Sequence, residues 1–514
     1  MKTTSLYELP FATDVPFASL CTKSLAAEQV NELIDAISHF YYFEFFYDSL
    51  PIWGFVGSAV SDSLSDADGD PSQFFLFKHL HFVGLYSASG QVVKINATAD
   101  NARVLSLTRD TAAEDVEFSY SIEWHQTDLD PEKRMELYED SFFANELEIH
   151  WLSIMNSGVL VLLLTAFLAL IIMRVLKSDY ARYSRAEEED DDQEDYGWKL
   201  IHGDVFRFPA SKSLFAAFIG VGAQLLTTSL AVLGLSLLGS YYPNNGGSMY
   251  TSLIVLYALT SCVGGYVSGR YYKQFEGDQW AWNVVLQATI FAVPFFSVVA
   301  YVNSVAWAHH ATAALPYTTI IIILSIWLVV GLPLSVLGAI AGRHSAGAFD
   351  APVRTKNFPR EIPSIPWYRK WYSQMIMSGF LPFSAIYVEI FYVFSSLYGH
   401  SPYQLYGILV LVFLILITVT ACITVALVYF QLSMEDHRWW WSSFMLGGSP
   451  AFFIYSYAIF FWNYRSRMYG FLQGSFYFGY MFVICYFFFI MLGTVGWYAS
   501  LVFIRKIFSA LKTE

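Results

Sequence analysis

Glu389 is the ionisable residue with the most unusual surroundings, because it lies within the apolar stretch AIYVEIFYVF at 385–394. A carboxylate inside a membrane span is costly unless it is paired, protonated or facing water. One interpretation is a cation or proton site assisted by Tyr387 and Tyr392. The other is a protonated or hydroxyl-bonded group that packs between helices. We favour the packing role and keep the ion site as the alternative.

A second arrangement of charges lies at the C-terminus, where the sequence ends in ALKTE with Lys512 two residues before Glu514. The preceding stretch from Phe471 to Ile504 contains no Lys, Arg, Asp or Glu. A cation beside a pair of carboxylates is a pattern that a protein partner can bind through charge-assisted hydrogen bonds. The alternative is that Lys512 only adds to the positive charge typical of cytosolic segments.

Four glycines in two apolar segments repeat at a spacing of four residues: Gly265 with Gly269, and Gly338 with Gly342. This spacing places small residues on one face of a helix and lets two helix backbones approach closely. The glycines therefore either pack two helices of this chain together or dock a helix of another membrane protein. We favour packing within the chain.

The sequence lacks the motifs that common enzyme classes require. It has no HExxH zinc motif, no GxxxxGK[ST] phosphate loop, no GxSxG nucleophile elbow and no dinucleotide-binding fingerprint. His309 and His310 are adjacent, so their rings project differently and make a poor chelate, and the four cysteines form no CxxC pair. We expect no enzymatic activity, no catalytic residues, no cofactor and no metal site.

The composition is that of a membrane protein. Of 514 residues, 55% are apolar, 18% are aromatic and only 14% are charged. The net charge of −14 argues against nucleic-acid binding, and part of it is concentrated in the run EEEDDDQED at 187–195. Such a run repels itself and stays solvated, so we interpret it as part of a tether between two spans.

The first segment, residues 1–150, is polar enough to be a folded domain outside the membrane. Apolar residues from Val30 to Tyr41 recur at helical spacing, whereas Val116 to Trp124 alternate strictly with polar residues, as in a half-buried strand. An acidic stretch at 61–70 predicts an exposed loop. The predicted fold is a lumenal mixed α/β, mostly β, domain followed by a polytopic α-helical membrane domain at 151–503 and a tail at 504–514.

Nine apolar segments follow His150, each long enough to cross the hydrocarbon layer, which needs about 20 helical residues. We expect nine transmembrane helices at 152–173, 214–239, 249–269, 283–303, 317–341, 373–397, 404–429, 444–463 and 472–500. Pro294, Pro333 and Pro382 are predicted to kink three of them.

The distribution of basic residues predicts the orientation. The acidic loop at 174–213, the three later loops on the same side and the tail carry nearly all Lys and Arg of this region. The alternate loops carry only Arg465 and Arg467. Because cytosolic loops retain positive charge, the N-terminal domain is predicted to be lumenal and the tail cytosolic. The sequon at Asn96 would then lie where glycosylation occurs.

Several stretches resemble the nonaspanins, also known as the transmembrane nine superfamily or EMP70 family. In chain order these stretches are NELEIHWLSIMNSGVLVLLLTAFLALIIMRVLK at 145–177, GWKLIHGDVFRFP at 197–209, FPREIPSIPWYRKW at 358–371, GFLPFSAIYVEIFYVFSSLYGH at 379–400, YFQLSMEDHRWWWSSF at 429–444 and GSFYFGY at 474–480. The resemblance extends from Val116 to Glu514. The N-terminal hundred residues match less well, with LPFA at 9–12, an isolated Cys21 and no signal peptide, so we expect either a late start or a diverged domain.

HGDVFRFP, within the second of these stretches, combines Asp204 and Arg207 with aromatic residues just before a span. We interpret it as a motif at the membrane surface, with its rings in the interface. The three consecutive tryptophans at 439–441 are expected to have the same aromatic-belt role.

The resemblance implies a multi-pass protein of Golgi and endosomal membranes that sorts or localises other membrane proteins. In this family a terminal Lys-any-acidic signal binds the COPI vesicle coat, a pattern that Lys512 and Glu514 match. The implied partners are membrane lipids, COPI coat subunits and cargo with glycine-rich transmembrane segments. The alternatives are an ion or metal channel or secondary transporter that uses Glu389, and a purely structural adhesion protein.

Overall fold

The computed structural model describes residues 7–48, 50–60, 73–99, 103–129, 131, 155–181 with short gaps, 197–241, 247–363, 366–367, 370–398, 406–466 and 468–509. The predicted loop at 61–70, the acidic run at 187–195 and the tail residues Lys512 and Glu514 lie outside these ranges. The chain divides into two compact units, of which the first comprises 1–145, 243–246 and 466–470 and the second comprises the remainder.

The first unit contains nine described strands and one helix. The strands are β1 (Val15–Leu25), β2 (Tyr42–Tyr47), β3 (Leu50–Phe55), β4 (Gly57–Val60), β5 (Gln73–Phe77), β6 (His79–Ser87), β7 (Val92–Ala99), β8 (Val104–Leu107) and β9 (Ala113–Thr127), and α1 spans Ala27–Ser38. They form sheets in the orders β1-β9-β6-β7, β2-β3 and β4-β5-β8. In the largest sheet β9 pairs antiparallel with β1 and parallel with β6, so the mixed, mostly β prediction is confirmed.

Helix α1 follows the predicted spacing. Val30, Ile34 and Ile37 lie on one face and are buried against Leu76 and other apolar side chains of the neighbouring strands. Three apolar residues at i, i+4 and i+7 form the stripe by which an amphipathic helix packs on a sheet. Tyr41, at the end of the apolar pattern, lies beyond the helix.

Strand β9 differs from the strict alternation that its sequence predicts. Tyr120, Ile122 and Trp124 are buried as expected, but Ser119 and Ser121 on the opposite face are buried as well. His79 of β6 explains the difference, because its Nδ1 and Nε2 atoms lie 2.8 and 3.0 Å from the two serine hydroxyls. Hydroxyls with hydrogen-bond partners can be buried without the usual penalty.

In the second unit, nine described helical segments are long and apolar enough to cross a membrane. With the π turn counted in the fifth span, they are α2 (Val161–Ser178), α3 (Lys212–Leu237), α4 (Ser248–Gln274), α5 (Trp280–Ala308), α6 and α7 (Tyr317–Ile326 and Leu332–Ser345), α8 (Trp371–Tyr398), α9 (Tyr406–Ser433), α10 and α11 (Trp439–Gly448 and Pro450–Tyr464) and α12 (Phe471–Ser509). The predicted nine-span membrane domain is confirmed.

Proline has different effects in different spans. Pro294 and Pro382 lie inside the continuous helices α5 and α8. Before Pro333, by contrast, the backbone forms a π turn at Trp327–Gly331 that separates α6 from α7. Proline lacks an N–H and clashes with the preceding turn, and a wider turn accommodates both effects.

Helix α12 is longer than its apolar segment predicts. Its 39 residues end at Ser509, beyond the expected end at 500. At a rise of about 1.5 Å per residue the helix measures roughly 58 Å, whereas the hydrocarbon layer is about 30 Å thick. The additional turns are stabilised by protein packing, because Ile504 and Phe508 are buried.

Candidate functional site

The four glycines lie in the interface between α4 and α7. A Cβ atom added at Gly269 would lie 2.5 Å from the carbonyl oxygen of Ala339, and one at Gly265 would overlap the carbonyl of Ser335. Gly338 and Gly342 meet the carbonyl groups of Cys262 and Tyr266 in the same way. The two backbones are therefore in direct contact. In the part of the chain that the structure describes, the helix faces that carry these four glycines pack against each other.

A chain of polar side chains crosses the bundle beside this interface. Gln287 Nε2 of α5 donates to Gln224 Oε1 of α3 at 3.2 Å, and Gln224 Nε2 donates to the carbonyl oxygen of Tyr257 in α4 at 3.0 Å. The Ser335 hydroxyl of α7 donates to Gln287 Oε1. These three polar side chains are buried, and their contacts tie four helices together.

The π turn is part of the same network. A π turn interrupts the regular helical hydrogen bonds, and a carbonyl left without a partner is costly in a membrane. The Ser261 hydroxyl donates to the carbonyl oxygen of Gly331, the last residue of this turn, at 2.8 Å. Hydrogen bonds between side chains and to backbone carbonyls thus connect the helices of this core.

Glu389 lies in α8 and is 4% exposed. The same helix packs on α11 through aromatic rings: Tyr387 and Phe394 contact Tyr457 edge to face, with ring centroids 5.4 and 5.3 Å apart. The Tyr457 hydroxyl is buried and has no hydrogen-bond partner among the described residues. Glu389 is thus buried within the protein, as both the packing and the ion-site interpretations require.

Asp204 and Arg207 form a clamp in the segment between α2 and α3. Arg207 Nη2 lies 2.7 Å from Asp204 Oδ1 and also donates to the carbonyl oxygen of Lys356 at 2.8 Å. The Lys356 amide donates to the carbonyl oxygen of Gly203 at 2.7 Å, and the Arg360 amide donates to Asp204 Oδ2 at 3.3 Å. The ion pair therefore fixes the segment between α7 and α8 by its backbone.

The aromatic residues around this clamp are internal, so the predicted aromatic-belt role is wrong for two of the three tryptophans. Trp439 and Trp440 are 0% and 3% exposed. The Trp439 indole N–H donates to the carbonyl oxygen of Val205 at 2.7 Å. Phe206 is also buried rather than placed in the membrane interface. Local sequence could not show this, because the burying residues lie in distant segments.

The end of α12 packs into the same aromatic cluster. The Phe508 ring contacts Trp198 and Phe206, with centroids 5.5 and 6.0 Å apart. Arg505 lies over the Phe349 ring at 4.7 Å. The last described turn of the chain is therefore held by the clamp region, three residues before Lys512.

Asn96 lies on β7, an edge strand of the largest sheet, and its side chain is exposed. Thr98, the third residue of the sequon, is exposed too, and its hydroxyl donates to the carbonyl oxygen of His81 at 3.2 Å. The sequon is therefore on an accessible surface of the first unit.

Sequence reasoning missed Gln224 and Gln287, which organise the core of the membrane unit. Their signal was present, because a carboxamide within an apolar span must find a hydrogen-bond partner inside the protein. Over the part of the chain that the structure describes, no group of three or more His, Cys, Asp or Glu side chains could hold a metal ion.

Comparison with known proteins gives matches along nearly the whole chain. The sequence model described as Endomembrane protein 70 matches residues 1–471. The chain is 51% identical to Transmembrane 9 superfamily member 3 and 50% identical to member 2 of Arabidopsis thaliana, over 99% of this chain and 85% of each protein. It is 45% identical to Transmembrane 9 superfamily member 1 of Mus musculus over the same shares. No solved structure matches.

We expect Gly265→Ala to destabilise the bundle by about 1–3 kcal/mol, because its Cβ would force α4 and α7 apart. The matched control is Gly234→Ala in α3, where an added Cβ meets no atom within 4 Å. That change should be neutral or stabilise the helix by up to about 1 kcal/mol. Thermal unfolding of the purified protein in detergent measures both. Equal midpoints for the two variants would contradict the close packing.

We expect Asp204→Ala to open the segment at 354–361, because Arg207 loses its carboxylate partner and the Arg360 amide loses its acceptor. Hydrogen–deuterium exchange of the Lys356 region should accelerate about tenfold or more. Asp278→Ala, which removes an exposed carboxylate from the loop after α4, is the control and should leave this exchange unchanged. Unchanged exchange in Asp204→Ala would show that the clamp does not hold the segment.

Proposed function

This chain belongs to the Endomembrane protein 70 family, the transmembrane 9 superfamily, and on that premise we propose that it sorts or localises other proteins in Golgi and endosomal membranes. It is a multi-pass membrane protein, and in this proposal it acts by binding rather than by covalent chemistry. The observation that carries the proposal is the packed end of α12, which lies three residues before the Lys-any-Glu pattern of Lys512 and Glu514 in the sequence.

The reach of the tail supports direct recognition at the membrane surface. Only three residues separate Ser509 from Lys512, a distance of about 10 Å at most for an extended chain. Phe508, at the base of this tail, is buried. A COPI subunit that binds Lys512 and Glu514 must therefore approach the end of the bundle itself.

The orientation required by this proposal places the end of α12 in the cytosol and the first unit in the lumen. Several basic residues lie at that end of the bundle. Arg207 donates to the backbone carbonyl oxygen of Lys356, and Arg505 lies over the Phe349 ring. Positive charge on the cytosolic side is the general pattern in membrane proteins. The exposed Asn96 sequon would then be lumenal.

The glycine interface restricts which surface of the protein a cargo helix would contact. Because Gly265, Gly269, Gly338 and Gly342 are used in packing α4 on α7, they are not available to a cargo helix. A cargo segment rich in glycine must then bring its own close-packing face to the lipid-facing side of a span. The exposed Ile321, Leu328 and Val329 on the span from Tyr317 to Ser345 belong to such a side.

The tail is tested by imaging an internally tagged protein with a free C-terminus. We expect the wild type in the Golgi and the Lys512→Ala, Glu514→Ala double variant to leak to the cell surface, because coat binding loses both charges. Thr513→Ala, at the unrestricted middle position, should behave as wild type. Co-localisation of the double variant with the wild type would remove the tail from the proposal. Loss of a glycan in Asn96→Gln reports separately on the orientation.

The alternative function is an ion or proton path that uses Glu389 in α8. The buried Tyr457 hydroxyl of α11 favours it, because this hydroxyl has no hydrogen-bond partner among the described residues. The aromatic packing of Tyr387 and Phe394 on Tyr457 supports the packing role instead. We therefore expect proteoliposomes with the wild-type protein to show the same proton and cation flux as empty liposomes. A flux that is present in the wild type and lost in Glu389→Gln would establish transport and displace the packing role.

A further inference from the structure

We propose that a cationic cleft where α4, α5 and α7 meet binds the phosphate-bearing headgroup of an anionic lipid. The cleft lies between the end of α4, the start of α5 and the end of α7. Its cations are Lys273 and Arg343, and Trp280 forms one wall. Gly269 and Ala339, from the glycine interface, line it as well.

The two cations are held side by side by the fold. Lys273 Nζ donates to the carbonyl oxygen of Arg343 at 3.0 Å, and the Arg343 guanidinium lies 5.8 Å from the centroid of the Trp280 ring. Lys273 keeps two further N–H donors and Arg343 its planar fork, which suits phosphate oxygens. Within the described ranges neither side chain forms an ion pair, although Glu276 and Asp278 lie in the loop that follows α4.

The helix dipole accounts for only part of this arrangement. A cation near the C-terminus of α4 or of α7 is favourable by itself. The dipole does not require the two cations to share one cleft, nor to have a tryptophan beside them. The start of α5 also lines the cleft, and the positive end of its dipole adds to the attraction for an anion.

The floor of the cleft is formed by an uncharged side chain, that of Asn283. Asn283 is fully buried there, and its side chain is already engaged: Nδ2 donates to the carbonyl oxygen of Ser213 at 2.8 Å, and Oδ1 accepts from the Ser268 hydroxyl at 2.8 Å. The charged groups that line the cleft are Lys273 and Arg343. Two cations favour a headgroup with a doubly charged phosphate over a zwitterionic one.

The surroundings indicate a lipid rather than a soluble anion. Trp280 and Trp282 are 37% and 56% exposed at the start of α5, where a membrane helix begins. Exposed indoles at the ends of spans lie at the level of lipid headgroups. Basic pockets between membrane helices on the cytosolic side bind anionic headgroups. The cleft is at that side in the orientation proposed above, and its role is additional to cargo sorting.

The test uses the purified full-length protein in detergent and a fluorescent phosphatidylinositol phosphate, with binding followed by anisotropy. The Lys273→Gln, Arg343→Gln double variant should bind about 30-fold more weakly, because each basic residue near an anionic surface contributes roughly fivefold in affinity. The control, Arg354→Gln with Lys370→Gln, removes the same charge from exposed positions elsewhere and should bind as wild type.

Equal binding by the double variant and the wild type would overturn the proposal. If the double variant is unstable in thermal unfolding, the single Lys273→Gln change at an exposed position should still weaken binding about fivefold. The water-soluble inositol phosphate headgroup and inorganic phosphate serve as competitors. If either soluble competitor displaces the fluorescent lipid as effectively as unlabelled lipid does, the cleft binds a soluble anion and the lipid assignment is overturned. These outcomes do not depend on whether Lys512 and Glu514 bind a coat subunit, so the cleft is tested separately from the proposed sorting function.

Discussion

The direct backbone contact between α4 and α7 is the interaction on which the membrane unit depends. Lipid tails are as apolar as leucine side chains, so helices gain little from hydrophobic burial against one another in a bilayer. Close packing and hydrogen bonds must hold them together instead. The glycines from Gly265 to Gly342 bring the two backbones into contact, and that approach places Ser335 beside Gln287.

Other features of the unit follow from this contact. The network that starts at Ser335 reaches α5 and α3 through Gln287 and Gln224. The π turn before Pro333 is linked to the facing helix by the Ser261 hydroxyl, which donates to the carbonyl oxygen of Gly331. At the end of the same interface Lys273 and Arg343 come together in a cleft. One packing solution thus produces a rigid core and a cationic site at its edge.

The clamp of Asp204 and Arg207 organises the end of the bundle at which α12 ends. Its ion pair holds the segment between α7 and α8, while Trp198 and Phe206 contact Phe508 at the end of α12. The geometry links three segments that are far apart in sequence to the base of the tail.

The sequence by itself determined the nine spans, the apolar face of α1 and the buried apolar residues of β9, because hydropathy and periodicity are local properties of the chain. It also placed the four glycines on helix faces that could pack closely. Tertiary structure alone decided that these faces meet each other and that His79 buries Ser119 and Ser121. It also decided that Trp439 and Trp440 are internal, and that Lys273 and Arg343 share one cleft. Each of these outcomes depends on a neighbour from a distant segment, which no local pattern in the sequence encodes.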